Sequence, residues 1–209
     1  MKCRPSQLGK LMTNSRSKSK LLSETAKSEI RKIAKQDFYG YSYSSDIRTK
    51  PMIKGTDWEH EGIKLLNDVR FTNKYVKNNL RVENDYMSGC CDIITDDLII
   101  DIKSSWSLDT FPATPSEGEN SDYEWQGRAY MWLYDRPAFE LVYTMYTTPD
   151  DLLTEWDNLS IHRVNHIPMH HRVTVLSYER DLDKEEQIRD RLIYCNEYYS
   201  KYVNELNNK

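Results

Sequence analysis

At 209 residues, with 38% hydrophobic and 30% charged residues, the chain is long enough to bury the core of one globular domain. Its net charge of −4 argues against a generic nucleic-acid-binding protein, because such proteins are basic overall. No stretch approaches the roughly 20 apolar residues of a membrane span, and the first residues lack the apolar core of a signal peptide, so we expect no membrane association and a cytoplasmic location.

The first part of the chain is predicted to be helical. A short helix follows Pro5, and Ser23 caps a longer one in which apolar residues recur at helical spacing up to Gly40. A third helix starts near Gly55. The predicted order is a helix over 7–12, a loop over 13–20, a helix over 23–40, a loop over 41–51 and a helix from 55 onwards.

The pattern changes to strands between residues 80 and 106. CCDIIT and LIIDIKSS are rich in Ile, and Thr95–Asp97 supplies a turn between them. The remaining predicted elements are a loop over 109–120, a helix over 124–134, a strand over 139–147, a short helix over 149–159, a strand over 172–178 and a long helix over 183–206. This order predicts an α/β domain with a mixed central sheet, although an α+β arrangement fits it too.

Charge is distributed unevenly along the chain. Residues 1–54 hold 13 Lys and Arg against 4 Asp and Glu, a local charge of +9, whereas the rest of the chain carries −13. A basic segment attached to an acidic body is able to lie along a DNA backbone. A solvated basic helix explains the same distribution equally well.

The segment GCCDIITDDLIIDIKSS places acids and a lysine on neighbouring predicted strands. Asp101 and Lys103 are two residues apart, so a strand puts both on one face, and the hairpin brings Asp92 beside Asp101. Neighbouring carboxylates repel, and a divalent cation relieves the repulsion. A lysine beside that cation is able to position or deprotonate a water. A surface hairpin with its charges in water is the alternative, and on these residues alone the two interpretations are evenly balanced.

An acid on one strand followed by Asp-x-Lys on the next resembles the PD-(D/E)xK nuclease superfamily. Upstream, Gly55 and Glu59 have the spacing of the first-helix motif in the branch that contains phage lambda exonuclease and RecB-like nucleases, although Glu61 is close enough to be confused with Glu59. Downstream, Gln126 and Tyr130 are similar to the QxxxY element of that branch and share a helix face.

The opening RPSQLGKLMT also looks like the first helix of phage recombination exonucleases, where a Ser and basic residues meet a DNA 5′ phosphate. By position, Ser6, Arg4 and Lys10 become candidate DNA contacts, and Tyr130 is a further one. A helix N-terminus is a natural anion site. A plain helix cap at Ser6 is the alternative reading.

The resemblance implies a restriction-endonuclease-like core, a mixed central β-sheet flanked by helices. We expect one domain, 1–209, with a basic N-terminal helical arm over 1–54, a catalytic core over 55–147 and a C-terminal strand and long helix over 148–209. It also implies one or two Mg²⁺ ions, replaceable by Mn²⁺. The implied metal and catalytic residues are Asp92, Asp101, the carbonyl of Ile102, Glu59, Lys103 and Gln126.

The function implied is a Mg²⁺-dependent exonuclease that acts on the ends of duplex DNA during phage-type recombination or DNA processing. A structure-specific or flap endonuclease is the alternative within enzymes, and a non-catalytic DNA-binding scaffold is the alternative outside them. The resemblance further implies a single-strand annealing protein as partner, a ring-shaped homo-oligomer and, for a phage-encoded chain, the host cytoplasm.

No metal site is expected at the cysteines or at the histidine cluster. The four cysteines have no zinc spacing and are expected to be reduced, packed thiols. The histidines between 162 and 171 surround Pro168 in a predicted loop, and we expect them to be exposed.

Overall fold

The computed structural model describes residues 1–17, 20–41 and 48–208. Residues 18–19 and 42–47, which belong to the two predicted loops over 13–20 and 41–51, lie outside this description. The helices are α1 Leu8–Leu11, α2 Glu24–Tyr39, α3 Lys50–Asp57, α4 Glu59–Val69, α5 Ser121–Tyr134, α6 Leu159–His162 and α7 Leu182–Asn207. The strands are β1 Val82–Glu83, β2 Ser88–Gly89, β3 Ile93–Ile94, β4 Leu98–Ser104, β5 Ala138–Thr144 and β6 Val173–Glu179.

Four strands form the central sheet in the order β3-β4-β5-β6. The pair β4–β5 is parallel and the two outer pairs are antiparallel, which confirms the predicted mixed sheet. Parallel strands need a long crossover, and α5 provides it between β4 and β5. β1 and β2 pair with each other as a separate short hairpin.

The sheet is covered on both faces, as a mixed α/β domain requires. On one face, Ile99 and Phe139 pack with α1, α2, α5 and α7 in the larger core. On the other face, α4 packs through Ile63 and Leu66 against Ile100. The side chains of β4 alternate between the two faces, so Asp101 lies on the α5 face.

The basic N-terminal helices are part of the larger core. Leu8, Leu11 and Ile30 are fully buried in it, and α2 packs along the long C-terminal helix α7. In the part of the chain that the structure describes, no helix has both the length and the apolar character needed to cross a bilayer.

The predicted start of the third helix was wrong. α3 begins at Lys50 with Pro51 in its first turn, a position where proline is favoured because the first N–H groups have no helical partner. Trp58 then separates α3 from α4, so Gly55 lies inside the first of two helices.

Other boundaries also differ from the prediction. α5 begins at Ser121 because the Asn120 side chain accepts hydrogen bonds from the N–H groups of Asp122 and Tyr123. The helix predicted over 149–159 was wrong, since this stretch has a 3-10 turn at Asp150–Leu152 and α6 begins only at Leu159. The strand predicted over 139–147 ends at Thr144.

The close approach of α5 to β5 leads to a stability prediction. A Cβ added at Gly127 would lie 2.1 Å from the ring of Phe139, whereas one added at Gly55 meets no atom within 4 Å. We expect Gly127→Ala to lower the free energy of unfolding by about 1–3 kcal/mol through overpacking. Gly55→Ala, which gains helix propensity without a clash, is the matched control and should be neutral or stabilising. Urea unfolding measures both variants, and equal stability of the two would contradict the packing described.

Candidate active site

Asp101 and Lys103 form a buried ion pair on the α5 face of β4. The Lys103 ammonium lies 2.5 Å from Oδ2 of Asp101, whose side chain is 4% exposed. The ammonium also lies 4.6 Å from the centre of the Tyr123 ring. A carboxylate buried this deeply requires a nearby cation, because burial of an unpaired charge is costly.

Gln126 reaches the same carboxylate from α5. Its amide Nε2 donates to Oδ1 of Asp101 at 3.1 Å. Tyr130, one turn further along the helix, is 6% exposed and its hydroxyl donates to the carbonyl of Cys90 at 3.0 Å. The predicted QxxxY pair is therefore split: Gln126 contacts the acid cluster, and Tyr130 connects α5 to the segment before Asp92.

Asp92 reaches the cluster from the edge of the sheet. It lies in the bend before β3 and not on the strand itself, which corrects the prediction. β3 pairs with β4 only at Ile99 and Ile100, so the N–H of Ile102 has no strand partner on that edge. The Asp92 carboxylate accepts this N–H at 2.8 Å through Oδ2. The carboxylate of Asp92 thus takes the place of the partner that a longer β3 would offer to this N–H.

Glu59 comes from the first turn of α4 and approaches Asp92. Lys77 lies between them, with its ammonium 2.6 Å from Oε1 of Glu59 and 2.8 Å from Oδ1 of Asp92. α4 lies close to the sheet at Gly62, where a Cβ would be 2.8 Å from the Thr144 hydroxyl. The absent side chain at this position lets the helix bring Glu59 to the end of β4.

The three acids have different proton affinities. Burial raises the pKa of Asp101 to about 6 despite the ammonium of Lys103. Burial and the charge of Asp92 raise the pKa of Glu59 to about 7. Burial also acts on Asp92, but the hydrogen bond with Glu59 and the ammonium of Lys77 prevail and lower its pKa. Glu59 therefore binds a proton more readily than Asp92 does.

Two observations test whether this cluster suits a divalent cation. Glu59 and Asp92 already hold one cation between them, the ammonium of Lys77, so their oxygens converge on a cationic position. The buried Oδ2 of Asp101 accepts no hydrogen bond of normal geometry. Within residues 1–17, 20–41 and 48–208, no three His, Cys, Asp or Glu side chains form a ready metal-binding set. Lys77 and Lys103 lie against the acids, and the carboxylate oxygens are donors of the kind that a hard cation prefers.

The remaining predicted residues lie outside this cluster. Glu61 is on another side of α4, where its nearest ion-pair partner is His60 at 3.5 Å. Arg4, Ser6 and Lys10 are exposed on the N-terminal segment. That segment packs against β2 and α5, since Pro5 is in contact with Gly89 and Gly9 with Asp122. Backbone Ile102 takes part through its N–H, and the metal role predicted for its carbonyl stays a prediction.

Two lysines near the site were not found from the sequence: Lys77 is partly exposed and Lys54 is buried. Lys77 occurs in a polar stretch with Lys74, and no pattern distinguishes the two lysines. Lys54 is fully buried in α3 and donates to Thr148 and to the carbonyls of Trp106 and Tyr146, just beyond the ends of β4 and β5. It holds α3 against the strand ends that carry the site.

The expectation of exposed histidines was wrong for one of them. His162 is 2% exposed, and its Nδ1 is 3.1 Å from the Thr148 hydroxyl. His166, His170 and His171 are exposed, as expected. All four cysteines are free thiols, and three of them are buried.

Solved exonuclease structures have the same fold. A phage-related exonuclease from Haemophilus somnus 129PT superimposes with a TM-score of 0.89 and 31% sequence identity, over 99% of this chain and 96% of that protein. The alkaline exonuclease LHK-Exo from Laribacter hongkongensis superimposes with a TM-score of 0.70 and 13% identity, over 99% of this chain and 92% of that protein. A structure of LHK-Exo in complex with dAMP gives a TM-score of 0.68. Neither a protein-family model nor a curated protein sequence matches the chain.

The mixed sheet and the acid–lysine cluster define a nuclease of the PD-(D/E)xK type, which confirms the predicted superfamily. The identity of 31% over nearly the whole of both chains specifies the branch: the chain belongs to the phage-related exonucleases.

The two candidate glutamates of α4 are separable by experiment. Glu59 contacts the acid cluster and Glu61 does not, so Glu59→Gln should lower nuclease activity by about 10- to 100-fold. Glu61→Gln is the matched control, because it removes the same charge two residues away, and it should keep near wild-type activity. Rates on linear duplex DNA measure the difference. Greater loss in Glu61→Gln would reassign the metal-site acid.

Proposed function

We propose that this protein is a Mg²⁺-dependent exonuclease that hydrolyses phosphodiester bonds from the ends of duplex DNA. The observation that carries the proposal is the convergence of Asp101, Lys103, Asp92 and Glu59 at the end of β4. Membership of the phage-related exonucleases supports the end-directed activity. The proposal includes a role in phage-type recombination or DNA processing.

The metal-binding part of the site consists of oxygen donors. Asp92, Asp101, Glu59 and the carbonyl of Ile102 would hold one or two Mg²⁺ ions, or Mn²⁺ in their place. A bound ion of this kind supplies Lewis-acid stabilisation of the phosphate charge and lowers the pKa of a water. Asp101 keeps its orientation because Gln126 holds one oxygen and Lys103 lies against the other.

Lys103 acts on the attacking water and on the phosphate. Its side chain is 24% exposed, so it contacts both the buried acid and the entry to the site. The charge of Asp101 raises the pKa of Lys103 in spite of its burial, which keeps the ammonium protonated at neutral pH. In this state it orients the water and stabilises negative charge that develops on the scissile phosphate.

DNA approaches along the basic N-terminal segment. Arg4, Ser6 and Lys10 are exposed on it and would contact the backbone near the terminal phosphate. Tyr130 would act in this region by supporting the segment around Cys90. The complex of LHK-Exo with dAMP agrees with a nucleotide product at this kind of site. A single-strand annealing protein and a ring-shaped homo-oligomer complete the proposal.

The buried ion pair provides the direct test of catalysis. Asp101→Asn and Lys103→Met should each reduce degradation of linear duplex DNA by about 100-fold or more, because each removes a charge that contacts the reacting groups. Asp96→Asn and Lys74→Met change exposed residues of the same types and should retain activity. Full activity in either site variant would exclude this mechanism.

The same assay separates exonuclease from endonuclease. Wild-type protein with Mg²⁺ should leave covalently closed circular DNA intact and degrade it after linearisation. Cleavage of the closed circle would favour a structure-specific endonuclease. DNA binding without any turnover in Mg²⁺ or Mn²⁺ would favour a non-catalytic scaffold.

Lys77 should compete with the metal, since its ammonium occupies the position between Glu59 and Asp92. We expect Lys77→Met to bind Mg²⁺ about tenfold more tightly in calorimetry, because no cation has to leave first. Without metal, this variant should unfold at a lower temperature than wild type, since the two acids then repel each other. Lys74→Met, on the same loop, is the control and should change neither property. Weaker Mg²⁺ binding by Lys77→Met would contradict the competition.

A further inference from the structure

Helix α4 separates the acid cluster from a second cavity. Glu61, Lys64, Leu65 and Asp68 recur at helical spacing on one side of α4 and line a cavity of about 390 Å³. The opposite wall is the segment that follows β5, together with Arg172. Glu59, by contrast, faces the acid cluster.

Arg172 is the unusual residue of this cavity. It is 8% exposed, and its buried Nε has no hydrogen-bond partner. Within the described residues its side chain forms no ion pair, although Glu61 and Asp68 line the same cavity. Buried charges are normally paired, so an arginine whose Nε is buried without a partner has the capacity to bind an anion.

The cavity combines a cationic floor with a polar rim. Arg172 and Thr148 are buried, whereas Lys64 and Asn165 are exposed at the opening. Two of the carboxylates near the rim have partners of their own: Asp150 lies 3.2 Å from Arg163, and Glu61 lies 3.5 Å from His60. The acidic rim disfavours a polyanion such as duplex DNA, while a small ligand is able to place a single anionic group on Arg172.

We infer that this cavity binds a nucleoside monophosphate, with its phosphate on the Arg172 guanidinium. Arginine presents a planar fork of donors that matches phosphate. Trp58 lies half-buried in the cavity wall and offers an aromatic face to a base. The carboxylates of Glu61 and Asp68 are acceptors for the amino group of a base. This site goes beyond the proposed function and does not depend on it, because α4 lies between the two sites.

The test is calorimetric titration and thermal unfolding in EDTA, with dAMP, inorganic phosphate and deoxyadenosine as probes. Wild-type protein should bind dAMP and be stabilised by it, bind phosphate more weakly, and show no response to deoxyadenosine.

Arg172→Met, which keeps the length of the side chain without its charge, should lose both responses, with dAMP binding at least about tenfold weaker. Arg172→Lys, which keeps the charge without the fork, should bind dAMP with intermediate affinity and covers the case in which Arg172→Met fails to fold. Trp58→Leu should weaken dAMP but not phosphate.

Binding in this cavity is distinguished from binding at the acid cluster by Asp101→Asn. That variant should retain the dAMP response if the inference is correct. Loss of binding in Asp101→Asn together with full binding in Arg172→Met would overturn it, as would no response of wild-type protein at millimolar dAMP. A selective loss of duplex DNA affinity in Arg172→Met would assign the cavity to the DNA backbone and overturn the mononucleotide assignment.

Discussion

The burial of the Asp101 charge constrains the rest of the structure. This carboxylate lies in the middle of the central sheet, between Ile100 and Ile102, and is 3% exposed. Its only cationic neighbour within ion-pair distance in the described chain is Lys103, two residues along the same strand. Gln126 supplies the one hydrogen bond it accepts, so α5 has to lie where this amide reaches the sheet. The close contact of Gly127 with Phe139 follows from that requirement.

A second constraint arises where β3 ends early. The unpaired N–H of Ile102 has to find an acceptor, and Asp92 provides it. This brings a second acid to the end of β4, and α4 adds Glu59. Close carboxylates at an effective dielectric of about 20 repel by a few kcal/mol. Lys77 offsets this repulsion by contacting both acids. The repulsion between these two acids is therefore balanced by the ammonium of a single residue, Lys77.

Local sequence patterns predicted the parts of the site that lie on regular elements. The period of two along a strand placed Asp101 and Lys103 on one face, and the Ile residues around them indicated burial. The spacing of Gln126 and Tyr130 predicted a shared helix, but burial of Tyr130 depends on how α5 packs, which spacing does not encode. The choice between Glu59 and Glu61 was open because it depends on the break at Trp58, which turns α4 relative to α3.

The residues that sequence reasoning missed are cations whose roles depend on tertiary structure. Lys54, Lys77 and Arg172 occur in polar or mixed stretches, and a hydrophobicity pattern does not distinguish buried Lys54 and Arg172 from exposed Lys77. Their roles come from partners distant in sequence: Lys54 contacts Tyr146 and Thr148, more than 90 residues away, and Lys77 contacts Glu59 and Asp92 from a loop.

The two sides of α4 carry opposite electrostatic imbalances. On the side of the sheet, the three acids Asp92, Asp101 and Glu59 outnumber the two ammonium groups that reach them, those of Lys77 and Lys103. On the side of the cavity, Arg172 is a buried cation that the nearby carboxylates do not reach. Neither group of charges is favoured by folding alone, because charge that is buried without full compensation is costly. Apolar contacts of Ile63 and Leu66 with the sheet keep the helix in position. These contacts offset the cost of the charges on both of its sides. Helix α4 thus lies between a cluster of acids and a buried arginine, and its apolar contacts with the sheet hold these opposite charges apart.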